Sequence, residues 1–264
     1  RNGLVVFQFT ISIVLISATL ITYDQLNFVR EKSMGFEKEN LLVINHNSVD
    51  EESAVLQQEI RKVPGVVNIG SGNSTPGGYF FGLSFRQPGT SEIFTPKGMT
   101  ADDNFTSTLN VKIVEGRSFS EQFNDSLSLI VNRKAVEAMN LSNPIGTVLV
   151  NNADPNTPVS YTIVGVVEDF HFESLHTEIT PLFILSTEGQ LNFQSVLIAR
   201  LNTEDATATI ASIENAWKTV IPEEPFIYYF MDTQLASLYS SEQSSSKLLT
   251  TFSLIAIVIA FVGL

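Results

Sequence analysis

The sequence predicts a mixed α+β domain of two subdomains held between two membrane-spanning helices. Three observations carry that prediction: uncharged apolar runs at Gly3–Thr22 and Leu248–Leu264, a strand-helix-strand pattern just inside each run, and a middle of short strands separated by turn residues. The first run holds no Asp, Glu, Lys or Arg over about 20 residues, and at ~1.5 Å per helical residue it reaches ~30 Å, the thickness of a bilayer core. It exceeds the apolar segment of a signal peptide, roughly 7 to 15 residues, and has no small-x-small site before Tyr23, so it reads as a retained anchor. The second run stops at the last residue, which predicts a span cut by the fragment boundary. With Arg1 as the sole positive flank, orientation is weakly marked, and an external placement of the intervening domain is the expectation.

The elements follow in chain order. Residues 1–23 form the first span, and residues 24–35 read as its helix running on as a stalk, with Leu26, Val29 and Met34 at helical spacing and Gly35 as terminator. Asn40 to His46 reads as a buried strand, Glu51 to Val63 as a helix ended by Pro64-Gly65, and Val66 to Ser71 as a second strand. Phe81 to Phe85 and Phe94 to Met99 are further strand candidates, completing a first part over residues 36–101. Residues 102–185 hold short strands (VKIVEG, SLIVN, TVLV, SYTIVGVVEDF), one helix at Arg133 to Met139, and turns at Asn143-Pro144 and Asn151 to Pro158. This texture predicts an inserted mixed α+β subdomain. Residues 186–231 return to the first pattern: Gln194 to Arg200 a strand, Asp205 to Val220 a helix with Ile210, Ile213 and Trp217 on one face, and Phe226 to Phe230 a strand. Asp232 or Thr233 then caps a second stalk over residues 232–247, with Leu235, Leu238 and Tyr239 at i, i+3, i+4, leading into the span at 248–264.

Composition narrows the function classes. With 28 acidic against 15 basic residues, a net charge of -13 and no basic stripe, the chain is not built to neutralise phosphates, which argues against nucleic acid as a partner. The absence of Cys removes thiolate metal sites and cysteine nucleophiles. Gln8 inside the first span is costly against lipid, so a helical partner in the membrane is expected.

Several motifs, taken together, resemble one family. They are GR-x-F at Gly116 to Phe119, I-V-N-x-x-A at Ile130 to Ala135, N-P-I-G at Asn143 to Gly146 and I-V-G-V-V-x-D-F-H-F at Ile163 to Phe172, flanked by LVVFQFTISIVLI and by FMDTQLASLYSSEQ leading into FSLIAIVIAFVGL. This pattern resembles the periplasmic core domain of MacB-like and FtsX-like ABC transporter permeases, in particular a Bacteroidetes-type branch. The resemblance implies a non-enzymatic permease subunit in the bacterial inner membrane. A porter-like α/β layer and an inserted sabre-like subdomain would lie in the periplasm. Work outside the membrane, such as efflux or handling of an envelope substrate, would be driven by mechanotransmission. It further implies no cofactor in this chain, ATP being bound by a cytoplasmic ATPase subunit. A second permease half or a homodimer, the lipid membrane and other envelope proteins are the remaining partners implied. The alternative is a ligand-sensing domain of a two-span signalling receptor, whose domain also sits between two spans.

No catalytic constellation is legible. Asp169, His171, Glu173 and His176, with Glu168, offer residue types that bind zinc. If Tyr161 to Phe172 is a strand, however, Asp169 and His171 share one face and Phe170 and Phe172 the other, which makes the set a solvated edge with a structural or interface role. No G-x-S-x-G accompanies the three histidines. Gly70 to Gly78 lacks the Lys and following helix of a phosphate loop and reads as a mobile loop between strands.

Overall fold

The computed structural model describes the chain except Arg1, Lys32, residues 47–49, 152–156, 190–193 and 203–204, Tyr239 and Leu264. At positions 2, 4, 5, 8, 25–31, 50–51, 241–247, 249 and 260–263 the backbone alone is described. The chain divides into two compact units, Met34–Gln234 and the pair of terminal segments.

The elements are, in order, α1 (Asn2–Glu31), β1 (Leu41–Asn45), α2 (Asp50–Arg61), β2 (Val66–Gly72), β3 (Phe81–Gly82), β4 (Phe85–Arg86), β5 (Lys97–Ala101), α3 (Phe105–Thr108), β6 (Ile113–Gly116), β7 (Ser128–Asn132), α4 (Arg133–Ala138), β8 (Val148–Asn151) and β9 (Val159–Val167). There follow β10 (Leu182–Ser186), β11 (Val196–Leu201), α5 (Ala206–Val220), β12 (Ile227–Phe230), α6 (Met231–Ser237) and α7 (Ser240–Gly263).

One sheet runs through Met34–Gln234 in the order β12-β1-β11-β2-β5-β10-β7-β9-β8-β4, with β3 on β5 and β6 on β9. Its two halves meet at a single ladder pair, Gly72 with Ala101. A Cβ on Gly72 would approach the Thr100 carbonyl oxygen at 2.5 Å, so only glycine lets the strands come together there. Each half has its own core. The first buries Leu42, Ile44, Leu56, Ile69, Ile213 and Trp217 between the β12-β1-β11-β2 strands and helices α2 and α5. The second gathers Phe85, Leu129, Leu149, Tyr161, Ile163 and Phe183 beside α4. The two predicted subdomains are thus two cores strung along one sheet, and the boundary at residue 101 moves: β3, β4 and β5, assigned above to the first part, belong with the second half. The reason is long-range pairing, β5 lying parallel to β10 and β4 antiparallel to β8.

The family-like motifs are structural devices of the second half. Gly116 has φ +70°, and a Cβ there would run into the Val164 carbonyl oxygen. Arg117 then grips Asp125 with two parallel hydrogen bonds of 2.8 Å, donated by Nη1 and Nη2, while its guanidinium lies 4.0 Å over the Phe123 ring. Asp125 also accepts from the Ser128 hydroxyl at 2.6 Å and the Ser120 amide at 3.0 Å, and these donors hold its carboxyl below the usual range although its burial works the other way. Asn132 caps α4 through Oδ1, which accepts from Ala135 N and Leu182 N, and its Nδ2 donates to Thr180 O. Gly146, at φ +84°, donates to Ile163 O and so ties the Asn-Pro-Ile-Gly turn to β9, while Thr147 N donates to Pro144 O across the turn.

Two helix expectations are corrected. The first stalk does not run to Gly35: α1 ends at Glu31, and Ser33 to Lys38 are non-helical. The second is not continuous either, since α6 ends at Ser237, Leu238 N reaches back to Leu235 O in a three-residue turn, and a new helix starts at Ser240. The serine-rich stretch there favours such a break, because short hydroxyl side chains compete for backbone partners. Helices α1 and α7 pack on each other, with a 2.8 Å hydrogen bond between the hydroxyls of Thr19 and Ser253. Taken over the described residues, no helix is long and apolar enough to cross a membrane.

Two outcomes follow for stability. Replacing Arg117 by Ala leaves the Asp125 side chain, 1% exposed, without its charge partner, and should cost about 3–5 kcal/mol in denaturant unfolding. Asp102 accepts hydrogen bonds from Gln57, Ser71 and Asn104 N, yet burial raises its carboxyl from 3.8 to about 6. The folded chain therefore holds a proton that the unfolded chain has lost between those values, so this group's contribution to stability falls as pH rises from about 4 to about 6. The Asp102→Asn chain should lose that slope, read as the difference between the two unfolding free energies across pH 4 to 7.

Candidate functional site

The chain enters and leaves the Met34–Gln234 unit on neighbouring strands. β1 and β12 are antiparallel, with Leu42 opposite Phe230 and Asn45 opposite Ile227, so the inbound and outbound backbones lie side by side at the sheet edge. Around that pair the structure builds a clamp on the inbound segment.

The clamp starts at Met34 and Phe36, both buried. His171 N donates to Met34 O at 2.7 Å. Gly35, at φ +82°, passes so close to the 169–170 backbone that a Cβ would sit 2.8 Å from Asp169 O and from Phe170 Cα. Phe36 meets Phe170 edge to face at 6.2 Å, Phe170 meets Phe172 at 5.8 Å, and Phe172 meets Phe80 at 4.8 Å. This ring stack anchors the segment by burial and edge-on quadrupole contacts. The φ of +82° at Gly35 keeps this residue itself out of a helix.

One residue further, Arg200 of β11 ties the same segment from the other side. Its Nε donates to Thr108 O at 2.8 Å, Nη2 to Glu37 O at 3.2 Å and Nη1 to Glu39 O at 3.4 Å, and Nη1 pairs with the Glu37 carboxylate at 3.3 Å. Asn110 Nδ2 donates to Glu37 Oε1 at 2.6 Å, and Glu37 N donates to Leu109 O. A planar guanidinium with five donors can hold three carbonyls and a carboxylate at once, which an ammonium cannot match geometrically.

The glycine-rich loop links this clamp to the outbound strand. Gly77 N donates to Phe172 O at 2.8 Å, and the Thr75 side chain hydrogen-bonds the Tyr229 phenol, which also meets Gln234. Burial raises the Tyr229 phenol above its ordinary value. Ser74 and Thr75 are 4% and 2% exposed, so the loop expected to be mobile is packed and hydrogen-bonded.

The predicted cluster is dispersed among these contacts. Asp169 Oδ1 accepts from Lys134 N at 2.9 Å, Glu168 pairs with Arg133 at 3.0 Å, and Glu173 pairs with Lys97 at 3.2 Å. His171 is half-buried and His176 exposed, and both side chains or backbones are engaged locally. Among the described residues no three His, Asp or Glu side chains converge as metal ligands. The strand ends at Val167, short of the predicted Phe172, but the alternation persists: Phe170 and Phe172 are buried, Asp169 and His171 half-exposed. Of the stalk residues, Leu235 is buried and Leu238 exposed. Leu26 and Val29 lie in α1 with undescribed side chains, and Tyr239 lies outside the described residues. Sequence reasoning missed Arg200, which sits unremarked in a strand, and took Gly35 for a helix stop.

Gly35→Ala should therefore spread the inbound segment from the 169–172 backbone without unfolding the cores. We expect hydrogen exchange at the His171 amide to accelerate at least tenfold, while amides of β7 and β11 stay protected.

A profile of the MacB-like periplasmic core domain matches residues 4–216. No curated relative matches the sequence. Among solved structures, the periplasmic region of MacB from Actinobacillus actinomycetemcomitans shares 13% identity with a TM-score of 0.57, over 80% of this chain and 97% of that one. The extracellular domain of the noncanonic ABC-type transporter YknZ from Gram-positive bacteria shares 12% at 0.51, over 72% and 98%. A domain assigned as a permease protein from Porphyromonas gingivalis shares 17% at 0.53, over 73% and 90%. At such identities the three structures establish a common fold. The profile covers most of the chain, and on that basis the chain belongs to the family of MacB-like periplasmic core domains.

Proposed function

We propose that this chain is the external domain and flanking helices of an ABC transporter permease subunit that works by mechanotransmission. Family membership supports the transporter assignment. The uncharged runs at Gly3–Thr22 and Leu248–Leu264 support two crossings of the inner membrane, with Met34–Gln234 in the periplasm. A cytoplasmic ATPase subunit supplies nucleotide hydrolysis, and a second permease half or a second copy of the chain completes the transporter. The chain itself carries out no chemistry.

The observation that carries the mechanical reading is the pairing of β1 with β12. Displacement delivered along either terminal segment reaches adjacent strands of one sheet, held by main-chain hydrogen bonds and by the Arg200 and Gly35 clamp. The load therefore moves the domain as a body instead of drawing its ends apart. The cargo class, whether peptide, lipoprotein or small hydrophobic compound, is left open by this reading.

Copurification of the full-length protein from its native membrane, with an ATPase assay, tests the assignment. Recovery of a nucleotide-binding subunit is the expected result, and recovery of a kinase or adaptor in its place would make the domain a sensor. Coupling is tested by Ser245→Pro in α7, where an interior proline costs about 3 kcal/mol of helix. We expect ATP hydrolysis to persist while the external activity falls, with the domain still folded. Undiminished external activity would remove the mechanical reading.

A further inference from the structure

The sheet ends differently at its two edges. At one end Phe85 of β4 exchanges main-chain N–H and C=O with Phe94, at 2.9 and 2.7 Å, so the side turned away from β8 is closed by the chain itself. At the other end β12 pairs with β1 alone among the described residues. Alternate residues of an antiparallel strand turn both main-chain groups the same way, so about half of β12 directs its N–H and C=O away from β1. Proteins blunt such an edge with a lysine, a proline or a bulge inside the strand. β12 has none of these: Phe226 to Phe230 reads FIYYF, and its register runs unbroken from Leu42 opposite Phe230 to Asn45 opposite Ile227. Ile227 is 54% and Tyr228 42% exposed. The strand is nonetheless fixed in place, since Phe226 and Phe230 pack on the first core and the Tyr229 phenol is hydrogen-bonded to Thr75 and Gln234. A partner therefore finds a preformed edge of 4 residues, bounded by Pro225 and by the start of α6 at Met231.

Charge selects the partner. From Thr219 to Ser246 the chain holds no Lys or Arg, and Lys218 just before is paired with Glu214 at 2.6 Å. Exposed acids stand at both ends of β12, Glu223 before it and Asp232 after it. An antiparallel pairing of β12 with β12 of a second copy would bring the Glu223 end of each beside Asp232 of the other, twice over by symmetry, and like charges set opposite one another are unfavourable. The net charge of -13 adds to that repulsion. A segment with basic flanks meets attraction at both ends instead.

We propose that β12 is a docking edge on which another protein lays an extended segment as a further strand, with its apolar residues beside Ile227 and Tyr228 and its flanking Lys or Arg beside Glu223 and Asp232. Main-chain hydrogen bonds supply the pairing, and the two charge contacts set its position. The assignment rests on the sheet edge and its charges, and does not depend on the transport reading.

Titration of the full chain in detergent with a fluorescent peptide of alternating Val and Thr between Lys-Arg ends tests it, with empty micelles as background. The expected result is saturable binding with a Kd at or below about 100 μM, at least tenfold weaker binding of the same peptide with Glu-Glu ends, and none of the peptide N-methylated through its Val-Thr core. Hydrogen exchange at the outward-facing amides of β12 should slow at least tenfold in the bound state. Glu223→Lys and Ile227→Lys should each weaken binding at least fivefold. Both side chains are exposed, and an unchanged melting temperature confirms that the variants are folded. Equal binding of the N-methylated peptide, insensitivity to both substitutions, or no saturable binding would each overturn the proposal. Concentration-dependent dimerisation that is lost in Ile227→Lys would overturn it too, by assigning the edge to a second copy.

Discussion

The antiparallel pairing of β1 with β12 is the constraint on which the rest depends. It places the first and last strands of the folded unit in contact, so that both chain connections leave from one edge of the sheet. Main-chain hydrogen bonds resist shear along the strand, and side chains add anchorage only where the connection leaves the ladder. That is where Gly35, Phe36, Phe170 and Arg200 are gathered. Their chemistry is that of attachment: close backbone approach, aromatic edge contacts and a guanidinium holding carbonyl oxygens.

The sheet itself is nearly divided. Two cores with their own helices share a seam one ladder pair wide at Gly72 and Ala101, reinforced by Asn73, whose Oδ1 accepts from Thr100 N at 2.7 Å. Beside that seam sits Asp102, a carboxyl raised by burial and held by side chains from α2 and β2. The seam thus joins the half that carries both connections to the half that carries the second core, with polar contacts from Asn73 and Asp102 beside it.

Most family-like motifs proved to be solutions to local backbone problems in the second half. The glycine before Arg117 avoids a carbonyl, the arginine satisfies a buried aspartate, the asparagine before α4 caps it while holding β10, and the Asn-Pro-Ile-Gly turn supplies a positive φ. Each meets a demand of this backbone, and so speaks for the fold more directly than for any activity.

Secondary structure was legible to the extent that it depends on local periodicity. The β1-α2-β2 and β11-α5-β12 units were readable from apolar runs and Pro64-Gly65, and the shared face of Phe170 and Phe172 from alternation alone. Helix ends were less so: α1 ends at Glu31, while the φ of +82° at Gly35 and its close approach to the 169–170 backbone are set by tertiary contact. The clamp was hidden for the same reason: Arg200 acts on Glu37, 163 residues away, and nothing in QSVLIAR marks one arginine as a tether. By itself the sequence determined the apolar termini, the strand-helix-strand ends and the order of motifs, all of which are set by neighbouring residues. Only the tertiary structure decided that β3, β4 and β5 join the second core, that the two connections share an edge, and that Arg200 reaches the inbound segment, because strand pairing and charge proximity are properties of segments brought together by folding.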